Sequence, residues 1–142
     1  MSDVFCQVAA GVVDTIEVYR DPVVVAFLDH RPVFKGHVLV IPVQHADTIV
    51  DLPTELLEPL FATAQRIAAA MQTALGADGS FVAVNNVVSQ SVPHVHVHVV
   101  PRSKGDGLRG FFWPRTRYAE GEAEEYAARL RTALSGNTAT AG

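Results

Sequence analysis

The run His94-Val95-His96-Val97-His98-Val99-Val100 constrains this chain more than any other segment. Strict alternation of histidine with β-branched valine favours a strand, so the three imidazoles share one face of a sheet and the valines share the other. On a helix the middle ring would turn away from its neighbours. Half of the chain's six histidines sit in this run. Neutral imidazole serves as nucleophile, general base or metal ligand. A merely polar strand face is disfavoured, because adjacent imidazoles repel when protonated and each needs hydrogen-bond partners when buried. Metal binding by histidines two apart on a strand is a competing reading. Sites of that kind usually add a carboxylate on the same strand, and Val99-Val100-Pro101-Arg102-Ser103 contains none.

The rest of the chain supplies a scaffold for such a strand. Ile16 to Tyr19 and Val23 to Leu28 are β-rich and joined by the turn dipeptide Asp21-Pro22, which predicts a hairpin. His37 to Ile41 is nearly continuous apolar sequence, as in a strand covered on both faces. Between Leu56 and Leu75, apolar residues recur every three or four positions, which predicts the longest helix, with Pro59 either beginning or kinking it and Gly76 and Gly79 ending it. Phe81 to Val84 reads as a strand, Asn85 to Pro93 as a polar loop, Val95 to Val100 as the last strand, and Glu122 to Leu134 as a second helix. The expected fold is α+β, an antiparallel sheet of about five strands with one long helix and a C-terminal helix. Residues 1–134 read as one domain and 135–142 as a disordered tail.

Composition narrows the partners. With 15 acidic against 11 basic residues, a net charge of −4 and no run of Lys or Arg, the chain is not expected to bind nucleic acid. No segment has the apolar length of a membrane helix, and Val4 to Val13 lacks a basic leader, so neither a membrane nor a secretory destination is expected. Cys6 is the sole cysteine, which excludes an intrachain disulfide and fits a reducing, cytoplasmic setting.

The sequence resembles the histidine triad (HIT) family of nucleotide hydrolases and transferases, whose signature is His-x-His-x-His followed by two apolar residues. The likeness also covers Ala26-Phe27-Leu28-Asp29, Gly36-His37-Val38-Leu39-Val40-Ile41-Pro42, the helix near Leu60 to Ile67, Gln90-Ser91-Val92-Pro93 and Val100-Pro101-Arg102, in family order. It implies that His96 attacks the α-phosphorus of a nucleotide and forms a covalent intermediate that water resolves. It further implies that His98 hydrogen-bonds the phosphate, that His94 helps hold the site and its protons, and that His37 orients the nucleophile. Asp29 corresponds to the position that binds the ribose hydroxyls, Phe27 and Leu28 to positions flanking the base, and Asn85, Gln90 and Ser91 to the loop that contacts phosphate and leaving group. No cofactor is required for that chemistry. A purine nucleotide is the implied substrate, and a homodimer the implied assembly.

Two segments depart from the family pattern. Asn85-Asn86-Val87-Val88-Ser89-Gln90 is short and lacks the glycine found in many relatives. Some bacterial relatives hold a structural zinc with a Cys-x-x-Cys pair and two histidines, whereas this chain has Asp3-Val4-Phe5-Cys6 there. Asp3, Cys6, His45 and His94 form a four-ligand zinc set by that correspondence; otherwise the site is lost and Cys6 is a small buried residue. His98 argues against the transferase branches that carry glutamine there. Two substrate branches stay open, nucleoside phosphoramidates and dinucleoside polyphosphates. The run Arg109 to Arg115, with three consecutive aromatics, either covers the nucleotide or packs against the protein. A metal-dependent hydrolase using the histidine strand as ligands, and a non-catalytic nucleotide-binding protein, are the alternatives from other classes.

Overall fold

The computed structural model describes residues 3–108 and 115–141. They fall into two compact units, Met1–Asp106 and Gly107–Gly142. No composition shift marks that boundary, which is why residues 1–134 read as one domain in the sequence. The aromatic run at residues 109–114 lies outside the described residues.

In the first unit the chain forms α1 (Val4–Ala9), β1 (Glu17–Arg20), β2 (Val24–Leu28), β3 (Val38–Pro42), α2 (Thr54–Leu75), β4 (Gly79–Val84) and β5 (Val97–Arg102). The five strands make one sheet in the order β1-β2-β3-β5-β4, every neighbouring pair antiparallel. This is the α+β fold the sequence predicts. Because α2 carries the chain from β3 to β4, a gap is left between those strands, and β5 fills it. The strand that begins inside the histidine run therefore lies within the sheet, with His98 registered against Leu39 on one side and Ala83 on the other.

Period-two alternation sorts the sheet into two faces. Val24, Ala26, Val38, Val40, Val95, Val97 and Val99 pack with Leu60, Ala64 and Met71 of α2. Val25, Phe27, Leu39 and Ile41 pack with Phe5, Val8 and Ala9 of α1. The edges of Phe5 meet the rings of His94 and His96, so the histidines share the α1 face. On the α2 face, Val18, Leu28, Val38, Ile67, Met71 and Leu75 are among the residues lining an apolar cavity of about 470 Å³.

The sequence pattern misses α1, whose six residues are too few for a periodic signal. Its start is nonetheless encoded: Asp3 is the N-cap, and its Oδ1 accepts from Cys6 N–H at 2.7 Å. At the other end the Arg20 guanidinium donates to the carbonyls of Ala9 and Val8 at 3.0 and 3.1 Å. The ladder of β5 begins at Val97 rather than Val95, because Val95 N–H donates instead to Ala46 O at 2.7 Å. Pro59 lies inside α2 and neither begins it nor ends it.

The second unit contains α3 (Glu122–Ala141). Its apolar stripe of Tyr126, Leu130 and Leu134 is exposed. The backbone continues as helix beyond Leu134, where the periodic signal stops and a disordered tail was expected, because the residues that follow are small and polar.

Gly36, between the hairpin and β3, has φ +99°, and a Cβ there would lie 2.7 Å from Leu75 Cδ1. The flexible leucine tip can yield, but the left-handed backbone cannot accept a side chain without strain. Gly36→Ala is expected to lower unfolding stability by about 1–2 kcal/mol. An unchanged denaturant midpoint would contradict that.

Candidate active site

His96 is nearly buried, with 2% of its surface exposed. Its Nδ1 lies 2.8 Å from the carbonyl oxygen of His94. A carbonyl can only accept, so Nδ1 carries the ring proton and Nε2 keeps its lone pair. Burial pushes the pKa of this imidazole below its ordinary value, against the His94 carbonyl, which favours protonation. The ring therefore stays neutral near pH 7, with a nucleophilic nitrogen fixed by the backbone. Phe5 meets it edge-on at 5.0 Å between centroids, and His98 lies against it at 4.9 Å.

A second chain of hydrogen bonds sets the tautomer of His98. Val33 N–H donates to His37 Nδ1 at 3.1 Å, so His37 carries its proton on Nε2. That Nε2–H donates to His98 Nδ1 at 3.0 Å, which leaves the His98 proton on Nε2. This last N–H is buried and has no acceptor among the described residues. An unsatisfied buried donor costs about 1–3 kcal/mol, and functional sites are where such costs are tolerated. Burial, with help from the neighbouring His96 and His37, lowers the His98 pKa to about 4. The expectation that His37 orients His96 is thus corrected: His37 orients His98, and a backbone carbonyl holds His96.

Asp29 follows β2 and is tied to the same corner, its N–H donating to His37 O at 2.9 Å. Oδ1 accepts from Arg31 N–H at 2.9 Å, closing the turn, while Oδ2 lies 3.7 Å from His37 Nδ1. Phe27 is on the histidine face, where its ring meets Phe5 at 5.5 Å. Leu28 is not: it lines the cavity on the α2 face, so strand alternation removes it from the residues that flank a base on the histidine side.

In the loop before His94, Gln90 Oε1 accepts from Val87 N–H at 2.8 Å and Nε2 donates to Asp47 O at 2.6 Å. Its amide thus braces the loop. Asn86 accepts from Ile49 N–H at 2.8 Å, whereas Asn85 and Ser91 are exposed. With no glycine available, Val87 and Ser89 take φ +67° and +62°. A β-branched residue in that region is strained by about 1–3 kcal/mol.

The three rings of the run do not converge on one ion. His94 instead joins a different cluster, in which ligand atoms of Asp3, Cys6, His45 and His94 lie within 4.8 Å of one another. Cys6 Sγ is 3.3 Å from His45 Nδ1 and 3.5 Å from His94 Nδ1. Asp3 Oδ2 is 3.0 Å from His45 Nδ1, and Asp3 Oδ1 is 3.3 Å from His94 Nδ1. The outer nitrogens face acceptors: His94 Nε2–H donates to Pro42 O at 2.9 Å, and His45 Nε2–H to Asp47 Oδ1 at 2.6 Å. Nδ1 of each ring therefore faces inward, beside a thiol and a buried carboxylate oxygen, Asp3 Oδ2, that lacks a hydrogen-bond partner among the described residues. These donors fit a tetrahedral zinc ion with its outer hydrogen bonds already in place. A second group, Asp29, His37 and His98, also clusters, but its imidazoles are already bonded to each other.

Phe5, Pro42 O and Asp47 were not singled out by the sequence. Only Phe5 leaves a trace there, in its three- and four-residue spacing to Val8 and Ala9.

A neutral imidazole with a fixed lone pair on the central strand, beside a second imidazole whose N–H has no partner among the described residues, sets this chain in the class of small α+β proteins that carry paired imidazoles on one sheet face. Within that class the chain belongs to the HIT family, whose domain model matches residues 10–105. An uncharacterised HIT-like protein of Mycobacterium tuberculosis is 41% identical over 110 residues, 76% of each chain. An adenosine 5′-monophosphoramidase of Schizosaccharomyces pombe is 31% identical, over 80% of this chain and 84% of its own. An asymmetrical bis(5′-nucleosyl)-tetraphosphatase of the same yeast is 36% identical over 62% of this chain and half of its own. Among solved structures, a Streptococcus mutans protein superposes with a TM-score of 0.86 at 34% identity, over 94% of this chain and 87% of that one. A zinc-bound histidine triad protein of Mycobacterium smegmatis gives 0.73 at 37% identity, over 96% of this chain and 98% of that one.

Desolvation also lowers the His37 pKa, with Asp29 opposing it. Both His37 and His98 therefore bind a proton in the unfolded chain at a pH where the folded protein excludes it. Stability is expected to be full above about pH 6.5 and to fall as the pH drops toward about 4, because there the unfolded state binds more protons. Thermal melting across that range tests the sign. A His98 imidazole titrating near 6.5 by NMR would refute the cause.

Proposed function

We propose that the protein is a nucleotide hydrolase that cleaves at the α-phosphate of nucleoside phosphoramidates or dinucleoside polyphosphates through a nucleotidyl intermediate on His96. The observation that carries this reading is the 2.8 Å bond between His96 Nδ1 and the His94 carbonyl, which leaves Nε2 as the reactive nitrogen. In the first step the Nε2 lone pair attacks phosphorus and an N–P bond forms. The bond from phosphorus to the leaving group breaks, and that group departs with the electron pair and takes a proton from solvent. The imidazole becomes cationic, and its Nδ1–H bond to the carbonyl strengthens as it does so. Water then attacks phosphorus, the N–P bond breaks, and the nucleoside monophosphate leaves while Nε2 regains its lone pair.

The unpartnered His98 Nε2–H is the group that would donate to a phosphoryl oxygen as charge builds there. Asp29 Oδ2 serves the ribose hydroxyls, Phe27 the purine base, and the exposed Asn85 and Ser91 the phosphate and leaving group. Gln90 acts by shaping the loop. Asp3, Cys6, His45 and His94 hold a structural zinc, which supplies cross-linking of α1 to the sheet and no catalytic step. We place the protein in the cytoplasm, where a lone thiol stays reduced. Among the described residues no helix is long and apolar enough to cross a membrane.

Mass spectrometry of protein quenched during turnover of an adenylyl phosphoramidate and a dinucleoside tetraphosphate tests the mechanism. A nucleotide adduct on His96 is expected, and His96→Ala should lose the adduct and roughly 10⁴-fold in turnover while still binding nucleotide. An adduct at any other residue overturns the assignment. The relative rates decide between the substrate branches.

The apolar cavity on the α2 face suits a second copy of the chain, since Val18 and Leu75 at its rim are 55% and 57% exposed. The protein is expected to sediment as a dimer and Val18→Glu as a monomer. A monomeric parent protein would remove this assembly.

A further inference from the structure

The β4–β5 loop stands at the end of the sheet where the histidine run begins. Val84, the last residue of β4, pairs with Val97, so residues 85–93 lie beyond that pair and run into His94. A second segment is drawn alongside: Ala46 O accepts from Val95 N–H, Asp47 O from Gln90 Nε2, and Asn86 Oδ1 from Ile49 N–H. Residues 46–51 and 86–90 therefore form one hydrogen-bonded rim. Asp29 lies toward the other end, its N–H on His37 O just before β3 begins with Val38 paired to Val99.

The tip of the loop is a strained turn. Val88 N–H donates to Asn86 O at 2.8 Å across Val87, whose φ is +67°. This is the positive-φ γ-turn, the rarer and more strained of the two kinds. Gln90 Oε1 braces it by accepting from Val87 N–H. Glycine or asparagine would relieve the strain, so an apolar side chain is kept here at a cost, and strain of this kind collects where a site is preorganised. The turn holds Val87 and Val88 out at 77% and 78% exposure, with Val50 at 86% on the adjoining segment. A single exposed valine is ordinary; three on one braced rim beside the histidine run are not.

The rim also lacks cations. Residues 79–101 contain no Lys, Arg, Asp or Glu, and residues 43–53 contain Asp47 and Asp51 but no Lys or Arg. Both aspartates are exposed. Arg31 and Lys35 belong to the connection that enters β3 at the far end of the sheet. A nucleoside triphosphate departing from a dinucleoside tetraphosphate would meet two carboxylates here and no cation to pair with. An amine with an alkyl or aryl body would rest that body on the valines and leave as an ammonium ion beside the carboxylates.

We propose that Val87 and Val88 determine leaving-group specificity, selecting phosphoramidates of alkyl- or arylamines over dinucleoside polyphosphates. That role rests on the hydrolase reading, in which Asn85 and Ser91 of this loop meet the leaving group. The departing nitrogen takes the electron pair of the broken P–N bond and draws its protons from solvent.

Three substrates given to the full-length protein test the selection: adenosine 5′-phosphoramidate, its N-hexyl derivative and diadenosine tetraphosphate. Native protein should favour the hexyl derivative over the tetraphosphate in kcat/KM. Val88→Ser should lower the hexyl-to-parent ratio about tenfold relative to native protein, a comparison in which the intrinsic reactivity of the two amines cancels. Val87→Asn, which tolerates the left-handed backbone, should lower it likewise. Val88→Lys should slow the hexyl derivative and raise turnover of the tetraphosphate about fivefold. A ratio that neither Val88→Ser nor Val87→Asn moves overturns the proposal, as does a native preference for the tetraphosphate.

His96→Ala, which cannot form the adduct, gives a readout independent of turnover. In carbon-13 methyl spectra of this variant, Val87 and Val88 should shift on addition of the hexyl phosphoramidate and much less with the parent compound. Equal or absent shifts overturn the proposal. Selective shifts in a protein whose native form makes no adduct uphold the contact with the apolar amine and remove the hydrolase.

Discussion

Placing histidines in the middle of a sheet forces every one of their nitrogens to be accounted for. β5 lies between β3 and β4, with α2 packed on its valine face and Phe5 of α1 against His94 and His96, so these two buried rings depend on protein atoms for their hydrogen bonds. Each imidazole has a different solution. His94 spends its outer nitrogen on Pro42 O, His96 spends Nδ1 on the carbonyl two residues back, and His98 receives His37. His94 Nδ1 faces Asp3 and Cys6, and what remains is one lone pair on His96 and, among the described residues, one unpartnered N–H on His98. The chemistry follows from which atoms burial leaves over, and burial also keeps both rings neutral.

Much of this was legible in the sequence because it depends on period-two alternation and on a long amphipathic helix. The strands, the α2 stripe and the shared histidine face all rest on side-chain spacing. The details that miss are those in which backbone atoms compete with side chains. The sequence cannot show that the His94 carbonyl would take the place assigned to His37, since a carbonyl belongs to every residue. Leu28 carries the same apolar character as Phe27, and only the register of β2 assigns it to the other face. α1 escapes because its information lies in a cap and an arginine clamp rather than in a period.

The loop before His94 shows how a missing glycine is managed. Two left-handed residues, Val87 and Ser89, are sustained by a side-chain amide that bonds both within the loop and to Asp47. Asp47 in turn accepts from His45. The loop before His94 and the cluster of Asp3, Cys6, His45 and His94 are therefore joined through one residue, Asp47.

Phe27 and Leu28, neighbours on β2, look in opposite directions, one toward the histidine face and one into the apolar cavity. A strand of this kind acts as a partition between two compartments with separate selection pressures. Substitutions can accumulate on the cavity side without altering the side chains that line the histidine side. An insertion of one residue in β2 would have the opposite effect, exchanging the two sets of side chains and erasing both surfaces in a single step.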